Sequence, residues 1–177
     1  MLGPAWPTRG ESPVAANASL TVAGNYLSVK LAFAWLRDTA QAMSQENVEL
    51  AARFYGMATT KAEILAALPW TMNLCHPEIE WIAPEDGATY RGRDGVRQRL
   101  EEWLESFDDY RWEVQRITDC GGGEVLVEAT EVGRGAKSGA EVRTTEYELL
   151  TIRHGMIVRI REFYDESAAL EAAGLRE

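Results

Sequence analysis

A chain of 177 residues with 46% apolar and 26% charged side chains has the size and composition of one globular domain with room for a tail. Its formal net charge of −10 opposes binding to nucleic acid or to an anionic membrane surface, both of which need clustered Lys and Arg. Cys75 and Cys120 form no metal or disulfide pattern, and the only histidines, His76 and His154, stand at a helix end and in a turn, so neither a metal nor a cofactor is expected. Idle thiols fit a reducing, cytoplasmic location.

Residues 1–42 differ from the rest. Pro4, Pro7, Gly10 and Pro13 make the start irregular, and Tyr26 to Leu36 is an apolar run too short to span a bilayer. Ala40-Gln-Ala42 has the small-x-small form of a signal-peptide cleavage site, but Lys30 interrupts the apolar run and the start is not basic. The expectation is a poorly ordered extension over 1–42 and a folded domain over 43–177. From Ser44, a candidate N-cap, Val48, Ala51, Ala52, Tyr55 and Ala58 share a helical side. Thr60-Lys-Ala-Glu63 has the form of a capping box before Ile64, Leu65 and Leu68, and Pro69 either kinks this helix or opens another. Ile79 to Ile82 read as a short strand with Trp81, ended by Pro84 and an Asp86-Gly87 turn. Asp94 is the N-cap expected for a helix whose stripe is Val96, Leu100, Trp103, Leu104 and Phe107. Beyond it the pattern turns to strands over Tyr110–Thr118, Glu124–Val132, Glu141–Arg153 and Met156–Asp165, with His154-Gly155 as a two-residue hairpin turn. Glu166–Ala173 reads as a last short helix ended by Gly174. Helices followed by a meander define an α+β fold.

The stretches Pro77-Glu-Ile-Glu-Trp81, Tyr90-Arg-Gly-Arg-Asp-Gly-Val96, Arg161-Glu-Phe-Tyr-Asp165 and Ala168 to Leu175 resemble the SnoaL-like branch of the nuclear transport factor 2-like superfamily, over residues 43–175. The resemblance implies a cone: a strongly curved mixed β-sheet wrapped around about three N-terminal helices, the cystatin-like roll, with an interior pocket. It also implies a homodimer through the sheet's outer face, where Ile157, Phe163, Tyr147 and Leu149 sit on faces that also carry charge.

Polar residues turned into such a pocket are the candidates for chemistry. Val158, Ile160, Glu162 and Tyr164 share a strand face, so Glu162 interrupts an apolar row. Burial raises a carboxylate's pKa and suits it to general acid or base work; the other reading is a rim carboxylate paired with an arginine. Glu131 ends the row Val125, Val127, Ala129, either in the pocket or solvated near Arg134. Glu146 and Glu148 share a face with Val142, Leu150 and Ile152. A tight His154-Gly155 turn pairs Arg153 with Met156 and sets Tyr147 opposite Glu162, which turns Glu148 away toward Arg161. A β-bulge in the long strand would bring Glu148 and Glu162 to one side. Tyr55, on the buried side of the first helix, is either a polarising donor or a core tyrosine bonded to backbone. Trp81, Trp103, Phe107, Glu148, Ile160 and Tyr164 are the candidate pocket wall.

The resemblance carries over unevenly. Against steroid delta-isomerases, Tyr55 matches the first-helix tyrosine, Ile82 stands where the base is expected, and Glu148 lies close to the protonated acid. Against limonene-type epoxide hydrolases, the active positions correspond to Trp81, Ala83, Ala129, Glu131 and Glu162, which keeps both acids and loses the rest. Against SnoaL-type polyketide cyclases, Glu162 could be the acid that moves a proton. Two readings follow. One is acid-base catalysis by Glu162, with Glu131 and Tyr55, on a small apolar substrate. The other is a non-catalytic ligand-binding or interaction module of the same fold.

Overall fold

The computed structural model describes residues 38–39, 41–56, 58–84 and 87–175. The chain forms two units, Met1–Gln41 and Ala42–Glu177. The first falls almost wholly outside the described residues, and so do the expectations of a loose extension or a leader; the turn at Asp86 is also outside them. Among the described residues no helix is long and apolar enough to cross a membrane.

Helix α1 (41–56) starts ahead of Ser44, which lies inside it and donates its hydroxyl to Asp119 Oδ2 at 2.7 Å rather than capping. It buries Leu50, Ala51, Phe54 and Tyr55, a stripe at helical spacing. Helix α2 (Lys61–Thr71) has the predicted capping box: Thr60 Oγ1 accepts from the Glu63 amide and Glu63 Oε2 from the Thr60 amide. Pro69 sits in its last turn without ending it, and a 3-10 turn, Met72–Leu74, completes the descent.

Strand β1 (Cys75–Ile82) is longer than the sequence suggests and takes in Pro77. Its pairing is interrupted between Cys75 and Glu80, around the residue that has no amide to give. Strand β2 is Thr89–Arg91, and helix α3 is Gly92–Glu105. The cap of α3 is Arg91 and not Asp94, because Gly92 takes φ 71° and turns the chain into the helix three residues early. Asp94 falls in the first turn, where its charge suits the helix dipole. Phe107 opens β3 (Phe107–Gly121) instead of closing the α3 stripe. Strands β4 (Glu124–Gly135), β5 (Glu141–Arg153) and β6 (Met156–Phe163) follow, and then α4 (Glu166–Ala172) with its N-cap at Asp165.

The six strands form one curved, open, mixed sheet in the order β2-β1-β6-β5-β4-β3, with β1 parallel to β6 and the other pairs antiparallel. The β5–β6 turn is the predicted His154-Gly155 pair, both residues at positive φ, 52° and 71°. One register step decides the site. Ile152 faces Ile157 but Thr151 faces Arg159, so Val158 is an extra residue in β6. The bulge therefore lies in the short last strand, not in β5. It moves Ile157 to the inner face with Ile160 and Glu162, leaves Val158 only half-buried, and sets Glu148 opposite Glu162. The alternative pairing of Glu148 with Arg161 does not form; Arg161 reaches Glu124 at 3.4 Å.

The inner face of the sheet and helices α1–α3 enclose the main core, which includes Ile79, Val96, Val125, Val127, Leu150, Ile157 and Ile160. Tyr147 and Leu149 lie on the other face, where with Leu126 they are covered by Ala169 and Ala173 at the C-terminal end of the chain. Of the four residues offered in support of an outer dimer face, Ile157 lies in the main core, Tyr147 and Leu149 lie beneath α4, and Phe163 packs partly buried against them.

Candidate functional site

The concave side of the sheet and the three helices bound a cavity with about 740 Å³ of empty space, counting the part open to solvent. Its walls are mostly apolar. Phe54 and Tyr55 come from α1, Leu68 from α2, Leu100 and Leu104 from α3, and Trp81, Tyr110 and Trp112 from the strands. Into this apolar space four buried glutamates project: Glu131 from β4, Glu146 and Glu148 from β5, and Glu162 from β6. The reason is strand alternation. Val127 and Ala129 precede Glu131 on the inner face, Leu150 follows Glu146 and Glu148, and Ile160 precedes Glu162. Ala129 is opposite Glu146 and Glu148 is opposite Glu162, so the acids form a row across three neighbouring strands.

Each end of the row is anchored by aromatic donors. The Tyr55 hydroxyl donates to Glu148 Oε2. Trp81 Nε1 donates to Glu162 Oε1 at 2.6 Å. The Tyr110 hydroxyl and Trp103 Nε1 both donate to Glu131 Oε1, at 2.5 and 3.2 Å. Carboxylate oxygens of Glu146, Glu148 and Glu162 lie within 4.8 Å of one another. Glu148 is 2% exposed, and burial first, then the Glu162 charge, push its pKa well above the usual carboxylate range. Burial and Glu131 likewise hold the Tyr110 phenol in its protonated form. Burial pushes the Cys75 thiol up to about 12, which makes it inert as a nucleophile.

Chemically, a carboxyl group buried in an apolar setting beside another carboxylate holds its proton more firmly than a solvated one, which is the state that Glu148 favours. Among the described residues the Glu146–Glu148–Glu162 triangle is the grouping that could offer three oxygens to a metal ion, fewer than the six to eight that calcium takes.

Of the residues singled out from sequence, Glu162, Glu131, Tyr55, Trp81, Trp103, Glu148 and Tyr164 line the cavity. Glu131 is not solvated beside Arg134, which pairs with Glu141 instead, and Glu162 is buried and accepts from the Trp81 indole. Two residues stand behind the wall. Phe107 packs against Trp103 and Tyr110, with ring centroids 5.3 and 5.2 Å away, and Ile160 is fully enclosed in the core. Glu146, also a candidate from the sequence, lines the cavity too, and Tyr110, Trp112 and Arg99 join it from outside that set. Glu146 was legible as the face-mate of Glu148. Trp112 stood at period two with Val114, but nothing in β3 said which face was inner.

Residues 65–160 match the family model of the SnoaL-like domain, and the chain belongs to that family. No curated protein matches it in sequence. Solved structures share the nuclear transport factor 2-like fold. One is a protein of unknown function from Burkholderia pseudomallei, 16% identical over 71% of this chain and 95% of that one, with a TM-score of 0.58. Another is Bal32a from a soil-derived mobile gene cassette, 13% identical over 73% and 97%, with a TM-score of 0.60. A third is a phenazine biosynthesis-related protein from Pseudomonas aeruginosa, 18% identical over 79% and 92%, with a TM-score of 0.55. At these identities the likeness is one of fold.

Proposed function

We propose that the cavity binds a small, largely apolar molecule and moves a proton on it, with Glu162 and Glu148 as the acid-base pair and Tyr55 as the donor that orients Glu148. The observation that carries this reading is the pairing of two buried carboxylates across neighbouring strands on the wall of an apolar cavity. An acid held protonated beside a carboxylate supplies both halves of an isomerisation, a cyclisation or a hydrolysis. Glu131, held by Tyr110 and Trp103, acts at the neighbouring part of the wall. That a structural neighbour belongs to phenazine biosynthesis agrees with a small aromatic or alicyclic substrate. We also propose a homodimer through the outer sheet face, on the ground that closed two-fold symmetry is the commonest assembly.

The test uses 2-tetralone, a small apolar ketone with exchangeable α-protons. In D2O the protein should accelerate their exchange, and Glu162→Gln should lower that rate about 10²–10⁴-fold, the range for a general acid or base. Equal exchange with wild type and variant, while 2-tetralone still binds both, supports the module without chemistry.

A further inference from the structure

Trp81 and Tyr55 meet the two paired acids in chemically different ways. Trp81 stands buried on β1 opposite Ile160 of β6, two residues before Glu162. Its ring nitrogen donates to Glu162 Oε1 at 2.6 Å. An indole N–H can only donate, so this bond is strongest when the oxygen belongs to a carboxylate. The partner of Glu148 is the Tyr55 hydroxyl instead. A hydroxyl can donate or accept, so that bond survives when Glu148 carries a proton. The partners thus sort the pair: the indole favours the charged form of Glu162, and the phenol accommodates either form of Glu148. Burial acts in the same direction, since Glu148 is the more deeply enclosed, at 2% exposed against 8% for Glu162.

Resting on the acid-base reading of this cavity, we propose that Trp81 is a positioning residue whose N–H holds Glu162 as the carboxylate, which makes Glu162 the base and Glu148 the acid. On a ketone, Glu162 then takes the α-proton while Glu148 gives its own to the carbonyl oxygen, so the pair gains one proton and loses one. The charged and titratable groups that share this wall are Glu146 and Glu148 of β5, Glu131 of β4, Tyr110 of β3, Tyr55 of α1, Arg99 of α3, and Tyr164 just beyond β6. All of them stay when the indole N–H alone is removed, so a change in the Glu162 titration on its removal reports the bond.

The test follows the Glu162 side-chain carboxyl carbon by ¹³C NMR against pH in the full chain, assigned through Glu162→Gln, together with the pH dependence of 2-tetralone exchange. Two changes remove the N–H: Trp81→Phe, and 3-benzothienylalanine installed at position 81, which keeps the fused ring and puts sulfur in place of the nitrogen. In the unaltered protein Glu162 should ionise at lower pH than Glu148. Both changes should raise the Glu162 midpoint by about 1–2 pH units, the worth of a hydrogen bond to a charged group. The exchange rate should rise with pH through that midpoint, and its rising limb should move to higher pH by the same amount, because a base works only when ionised. A benzothienyl protein whose Glu162 titrates as in wild type overturns the proposal, even where Trp81→Phe shifts it, and reduces Trp81 to packing. Glu148 ionising before Glu162 overturns it too. If 2-tetralone binds but exchanges at no pH, the acid-base reading of the cavity falls, and the titration still decides whether the indole holds Glu162 as the carboxylate.

Discussion

Glu148 is 2% exposed, has a tyrosine hydroxyl on one oxygen, and stands across a strand from another carboxyl group. Each of these facts sets an experiment. Removing the hydroxyl in Tyr55→Phe takes a donor from a buried carboxyl group, and the cost should be about 1–3 kcal/mol of stability in a urea titration. The raised pKa of Glu148 fixes a pH dependence. Its folded value lies above the unfolded ~4.3, so the native state binds this proton more tightly. That contribution to stability is present in full below about pH 4 and is lost as pH rises through the folded pKa. Glu148→Gln removes the slope. The variant should match wild type near pH 4 and equal or exceed it at pH 8; a variant less stable at pH 8 than at pH 4, relative to wild type, would count against a neutral Glu148.

At the level of elements, the extra residue in β6 is what turns Ile157, Ile160 and Glu162 to one side. Deleting Val158 restores plain alternation and forces either Ile157 or the Ile160–Glu162 row out of the interior. The loss should be at least about 1.5–3 kcal/mol, the burial of one aliphatic side chain, and should be visible as a lower urea midpoint. Thr60→Ala tests the other end of the domain, where loss of the capping box should cost about 0.5–2 kcal/mol. The two features differ in how far they show in the sequence. A capping box is a local pattern of four residues, and the His154-Gly155 turn a local pattern of two, so both were legible. The bulge at Val158 is marked by neither glycine nor proline, and it follows from curvature of the whole sheet. Pairing Arg153 with Met156 was therefore right at the turn and one residue off at Glu162. The early start of α3 has a similar cause, since Gly92 at positive φ outweighs the better capping residue two positions on.

The domain of residues 42–175 is built on a sheet with two unlike faces. The inner face carries the core and the row of acids; the other carries Tyr147 and Leu149 beneath α4 and a set of surface ion pairs. Arg116 reaches Glu128 at 2.9 Å, and Arg159 and Arg91 share Glu80 at 2.7 and 3.2 Å. Two copies joined through that face would meet largely over charge, so the proposed dimer should dissociate more readily as salt shortens the screening length from about 10 Å at 0.1 M to about 3 Å at 1 M. A monomer in sedimentation at tens of micromolar protein and low salt would count against the dimer altogether. The fold was legible because its apolar periods are strong and its turns carry glycine. The site was legible as far as alternation reaches, which covers Glu131, Glu146, Glu148 and Glu162. What alternation cannot supply is which aromatic ring from another element meets each acid: Trp81 on Glu162 spans 81 positions, and Tyr55 on Glu148 spans 93. This fold encloses, in an apolar cavity, a carboxyl group whose pKa is raised well above the usual range. The most direct test is a ¹³C NMR titration of the glutamate side-chain carboxyl carbons, with Glu148 assigned through Glu148→Gln. The Glu148 signal should titrate well above the ordinary ~4.3 and shift when Glu162 is replaced by Gln. A titration near 4.3 that ignores Glu162 would contradict the claim.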